Sequence, residues 1–171
     1  MSNKNTNTDF QYFVELFPEV ELPATLGEDT HLTFSRENDP LPAPVVQQHI
    51  LPIEEEMPDE FTEYIACFRI PKTYDFHALV FWKAGLMNYQ YILATFDKHG
   101  VSIDKRVIAG TFSDGEQVTQ SVATIDHDWT IFVASGQTNA NKPTVFDPTT
   151  SRAVELELLP DGKIIAEVKQ Q

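Results

Sequence analysis

Phe76-His77-Ala78-Leu79-Val80-Phe81-Trp82-Lys83-Ala84, followed by Tyr89-Gln90-Tyr91-Ile92-Leu93-Ala94-Thr95-Phe96-Asp97-Lys98-His99-Gly100, decides the fold. Two runs rich in β-branched and aromatic residues are separated by a short connection, and the second ends in a turn. The same rhythm extends in both directions. Runs at 64–70, 76–84, 89–97, 101–109, 117–125 and 129–135 are spaced as the strands of an antiparallel meander. Their connections carry turn chemistry. Asp97-Lys98-His99-Gly100, Ser113-Asp114-Gly115-Glu116 and Asp126-His127-Asp128 use residues that tolerate positive φ or bond their own backbone. Gln137 to Lys142 is polar and reads as a loop.

The last hairpin is the most sharply written. Val154, Leu156 and Leu158 point one way, Glu155 and Glu157 the other. Pro160-Asp161-Gly162 turns the chain, and Ile164, Ala166 and Val168 return. This pattern predicts a sheet with one wet and one dry face. The stretch Tyr91 to Gly100, with Ile108-Ala109-Gly110, Ser121 to Asp126, and Leu22-Pro23 after an N-terminal helix, resembles a β-meander common in small uncharacterised proteins of Bacteroidetes bacteria. That resemblance implies a fold and no activity.

Ahead of the meander the signals are helical and proline-rich. Residues 1–8 are expected to be a disordered tail. Thr8 and Gln11 have the spacing of a capping box, and Phe10, Phe13, Val14 and Phe17 form one helical stripe that Pro18 closes. So short a helix is marginal alone and must dock through those rings. Residues 20–25 read as extended, and His31-Leu32-Thr33-Phe34 as a short strand. Pro44 suits the first turn of a helix over 44–50, with Val45, Val46, His49 and Ile50 on one side. Six of the ten residues 54–63 are acids. Glu56, Asp59, Glu60 and Glu63 share one helical face while Met57, Phe61, Tyr64 and Ile65 take the other, predicting helix through about Glu63. Tyr64, Ala66, Phe68 and Ile70 also alternate as a strand would. The expected class is α+β. Residues 9–171 form a single domain in which 9–63 is a helical and proline-rich cover on a six- to eight-stranded antiparallel meander, 64–171.

The 171 residues carry a formal net charge of −14, unevenly spread. Residues 1–75 hold 15 acids against 4 bases, and residues 76–171 hold 11 against 8. A field of that sign repels phosphate backbones and anionic lipid and attracts basic proteins, so neither nucleic acid nor a membrane is an expected partner. The longest purely apolar run, Ala78 to Trp82, is far short of a membrane helix. Cys67 is the single cysteine, in an apolar run, and reads as a small buried hydrophobe. Met1 to Asp9 is polar and unlike a secretory leader. With no disulfide chemistry, a cytoplasmic location is expected.

Chemistry-bearing motifs are sparse. The five histidines lack local metal-ligand spacing, and Asp126-His127-Asp128 reads as a solvated turn. The sequence contains neither a Gly-rich phosphate cradle nor a nucleophile elbow, and no pair among its many acids stands out as a glycosidase-like dyad. No catalytic residue, metal or cofactor is assigned, and the oligomeric state stays open. The leading expectation is a non-catalytic module that engages a basic protein partner through Glu54, Glu55, Glu56, Asp59, Glu60 and Glu63. Its sharpest version is an immunity-type inhibitor of a basic toxin. The alternative is a small-ligand binder or enzyme using the concave sheet face, with Trp82, Tyr89, Tyr91 and Trp129 lining a pocket.

Overall fold

A computed structural model describes residues 4–86, 88–139 and 142–167, with side chains from residue 10 onward apart from 142–147 and 167. It is built on one antiparallel sheet. The strands are β1 (Ala24–Leu26), β2 (Glu63–Arg69), β3 (Phe76–Ala84), β4 (Asn88–Asp97), β5 (Ser102–Ser113), β6 (Gln117–Ile125), β7 (Thr130–Asn139), β8 (Lys142–Leu158) and β9 (Ile164–Glu167). From β2 to β9 each strand pairs with the next, and β1 adds to β6, giving nine strands where six to eight were expected. β2 and β9 stand at the two ends of this path and do not pair with each other, so the sheet is open. The polar stretch read as a loop from Gln137 is the continuation of β7, and β8 resumes at Lys142. Val168, expected in the last strand, lies outside the described residues.

The turns follow from the aspartates. Asp97 Oδ1 accepts the N–H groups of His99 and Val101, at 2.8 and 2.9 Å, and Gly100 takes φ +90°. Asp114 Oδ1 does the same for Glu116 and Gln117. These bonds hold both carboxyls below the usual aspartate range, the bond to Val101 leading at Asp97 and the bond to Gln117 leading at Asp114.

The one-wet-face expectation fails for β2–β4, which are dry on both sides. Ile65, Cys67, Phe76, Ala78, Val80, Trp82, Tyr91 and Leu93 enter one core, while Tyr64, Ala66, Leu79, Phe81, Ile92, Ala94 and Phe96 enter another across the sheet. The first core draws side chains from all nine strands. The second lies under the N-terminal cover. Helix α1 (Lys4–Glu15) starts four residues before Thr8, and Phe10, Phe13, Val14 and Phe17 are all buried there. Leu41 joins them from just ahead of, and Val45 and Ile50 from within, a helical run over residues 43–53 that passes from α through π to 3-10 turns. The β2 edge is blocked by the cover. Arg69 N–H donates to Pro18 O, Leu41 N–H to Tyr64 O, and the Asn38 amide to the Ala66 and Cys67 carbonyls at a bulge.

Two expected elements change type. Residues 31–34 belong to helix α2 (Thr30–Glu37), not to a strand, because Thr30 Oγ1 closes a turn with both the N–H and the C=O of Gly27. Residues 54–62 form no helix. Glu54 is extended (φ −79°, ψ 137°), and Asp59 Oδ1 takes the Phe61 N–H and the Thr62 hydroxyl, bonding the backbone into a turn. No helix is long and apolar enough to cross a membrane among the described residues.

Candidate functional site: an acidic segment and an aromatic groove

The six acids singled out from sequence divide into one and five. Glu54 points inward. Its side chain is 4% exposed, and its carboxylate receives Lys83, Lys105 at 3.2 Å and the Tyr64 hydroxyl at 3.0 Å. Lys105 also donates to Ile53 O at 2.8 Å. Burial works to raise the Glu54 pKa, but the bond and charge of Lys83, then Tyr64 and Lys105, outweigh it and hold the carboxyl below its ordinary value. Burial and the Glu54 charge push the Tyr64 phenol up, so it remains a donor. Glu54 is therefore the bolt that fastens the acidic segment to β3 and β5, and it has no free charge to offer a partner.

Glu55, Glu56, Asp59, Glu60 and Glu63 are exposed. None of them forms an ion pair among the described residues. Between them Met57 and Phe61 stand out at 76% and 62% exposure. The segment borders a groove of about 430 Å3 floored by Leu41, Val46, Leu51 and Tyr64 and rimmed by Asp59, Glu60 and Glu63. Cations gather elsewhere. Arg69, Lys72 and Lys98 line a second groove of about 370 Å3 beside α1, facing Glu15 and Glu19. Burial, then the charges of Lys98 and Arg69, lower the pKa of His77 there.

Three of the four aromatics named from sequence come together. Trp82 and Tyr89 are stacked, 5.7 Å between centroids and 3° between planes, and His31 stacks on Trp82 at 4.8 Å and 10°. Tyr91 stands beside them, its hydroxyl 2.8 Å from Thr30 Oγ1 and 3.3 Å from Gly27 O. Burial raises its pKa to about 12 against the smaller pull of the Thr30 bond, so the phenol stays neutral. Trp129 is elsewhere. At φ +67° it lies edge-on to Phe76, 5.8 Å away, over the first core.

These rings wall a groove of about 250 Å3 at a fork in the sheet. One edge of β6 pairs with β5 from Val118 to Ser121, then with β1 from Ala123 to Ile125. At Val122 the edge passes from one strand to the other, and the end of the β5–β6 pairing at Gly110 and Ser121, Val122 and the segment 27–29 with His31 line the opening. Gly110 belongs to that geometry. At φ +144° it lies against Tyr89, where a Cβ would run into the Tyr89 carbonyl. Glu28 and Asp29 line the mouth, and His31 Nδ1 is 2.8 Å from Glu28 O. A carbonyl can only accept, so Nδ1 is the donor in this bond.

Two further sequence readings can be located. Cys67 is buried and its thiol is pushed well up by that burial, which keeps it from acting as a thiolate. His127 Nδ1 is 3.3 Å from Asp126 Oδ1, and Asp128 Oδ1 takes the Thr130 N–H. No three His, Cys, Asp or Glu side chains gather at metal-binding distance among the described residues. Comparison with protein-family models, curated proteins and solved structures finds no match to this chain.

Proposed function

We propose that the protein is a non-catalytic binding module whose segment 55–63 docks a basic protein. The observation that carries this reading is the exposure of Met57 and Phe61 among five carboxylates that form no ion pair among the described residues. A Met and an aromatic side chain supply the desolvated centre of an interface, and a ring of one charge steers the partner and rejects wrong ones. The segment is also held in advance. Glu54 fixes one end, β2 begins at the other, and Asp59 ties the turn between them, so little ordering cost falls on association. The partner that fits is a protein surface with Lys or Arg around a projecting apolar side chain, which would enter the groove floored by Leu41, Val46 and Leu51.

The test is affinity capture with three baits at low and high salt. The wild type is expected to hold a basic protein at low salt and release it as salt rises. Charge reversal at Glu55, Glu56, Glu60 and Glu63 to Lys is expected to abolish capture; Asp59 is spared because it holds the turn. Phe61→Ala, with every charge intact, is expected to lose the same partner, which separates docking from ion exchange. Capture of one protein by all three baits would refute the reading.

A further inference from the structure

The groove at the fork takes no part in that docking surface. It shares none of its lining with residues 40–64, and it needs its own occupant. Its walls are chosen for flat or rounded apolar contact. Trp82 is covered on its faces by His31 and Tyr89 and is only 8% exposed, which leaves Tyr89, at 45% exposure, as the ring available to a ligand. Its charges are of one sign. Glu28 and Asp29 line the mouth, neither is in an ion pair among the described residues, and the lining contains no Lys or Arg. The far wall is fixed, since Tyr91 and Thr30 bind the 27–30 turn to β4.

We propose that this groove is a binding site for a small organic cation of the alkylated-ammonium class. A cation near an aromatic face is attracted by the ring's negative quadrupole, most strongly where water is partly excluded. An alkylated ammonium also offers methyl groups to the ring, and its weak hydration makes desolvation less costly than for a metal ion or a bare ammonium. The Glu28 and Asp29 carboxylates supply the counter-charge without having to enter the groove. A cavity of about 250 Å3 lies below the usual range for drug-sized ligands, so the occupant is small. A neutral sugar would use the Tyr89 face and Gln120 as well and could donate hydroxyls to the two carboxylates, but unlike a cation it would gain no charge attraction from them.

The probe is choline, titrated into the full-length protein by calorimetry beside its uncharged isostere 3,3-dimethyl-1-butanol and beside methyl glucoside. Saturable binding of one choline is expected, with the isostere about tenfold weaker or worse. Tyr89→Leu keeps an apolar side chain but removes the ring face, and is expected to weaken choline about tenfold while its unfolding transition stays in place. Glu28→Gln with Asp29→Asn should weaken choline and leave the isostere unchanged. Reversal of the charges at 55–63 should leave choline binding intact, which keeps this site independent of the docking reading. No saturable choline binding by the wild type, equal binding of choline and its isostere, a preference for the glucoside, or a folded Tyr89→Leu variant of wild-type affinity would each overturn the proposal.

Discussion

Glu54 shows how far one side chain can depart from its neighbours. A carboxylate at 4% exposure is tolerable only because two ammonium groups and a phenol converge on it. Removing the charge strands Lys83 and Lys105, each with about a fifth of its side chain exposed. Glu54→Gln is therefore expected to cost about 2 to 4 kcal/mol at neutral pH, read from urea unfolding. The sign with pH follows from the lowered pKa. The ionised carboxylate contributes fully above the ordinary glutamate value of 4.5, and the contribution is lost as pH falls through the lower value of the folded state. The gap between wild type and Glu54→Gln should close in acid. An unchanged gap at about pH 3 would mean that the ion pairs are not its source. Nothing local in Ile53-Glu54-Glu55-Glu56 marks the first glutamate as different. Its partners lie 29 and 51 residues away on strands whose register no periodicity reveals, so the acidic run was legible and its division was not.

At the level of elements, what could be read was whatever repeats. The strand runs at 64–70, 76–84, 89–97 and 117–125 agree with the structure to within a residue or so, because turn residues punctuate them. The Phe stripe of α1 was equally plain, since a period of 3.6 needs only one face to be apolar. Elements decided by a single contact were opaque. α2 starts at the turn that Thr30 Oγ1 closes with Gly27, and it is seated by His31 on Trp82 and Phe34 on Phe68, contacts that His31-Leu32-Thr33-Phe34 alone is too short to announce by a period. The dry second face of β3 was in fact written in Ala78 to Trp82, a continuous apolar run of the kind that marks strands buried on both sides. That face depends on α1. Phe13 is fully buried, stacked on His49 at 4.8 Å and edge-on to Phe17 and Phe96. Phe13→Ala is expected to cost about 3 to 5 kcal/mol, whereas Tyr12→Ala, on the half-exposed side of the same helix, should stay within about 0.5. Denaturant unfolding measures both. Equal costs would mean that α1 is held by something other than its apolar stripe.

At the scale of the whole molecule, two long-range features were beyond a linear reading. One is the curl that brings Gly162 O to Thr95 Oγ1 and the Ile164 N–H to Asp104 Oδ2, at 2.7 and 2.8 Å, so that β9 returns over β5. The other is the fork at Val122 that opens the aromatic groove. The net charge, by contrast, needed only counting, and it makes a prediction about stability that separates the roles of the acids. A chain at −14 repels itself when folded, and exposed carboxylates that hold neither an ion pair nor a turn among the described residues add to that repulsion. Reversing Glu55, Glu56, Glu60 and Glu63 to Lys, two units at each of four positions, takes the formal charge to −6. The thermal midpoint at low salt is expected to hold or rise. Added salt should lift the wild type toward the variant, because screening relieves the same repulsion. Glu54→Gln must behave oppositely, falling at every salt concentration, since its charge is buried against partners that salt screens poorly. A reversed variant that melts well below the wild type would show that these four carboxylates are committed to the fold, and a surface committed to its own fold has no charge left for a partner.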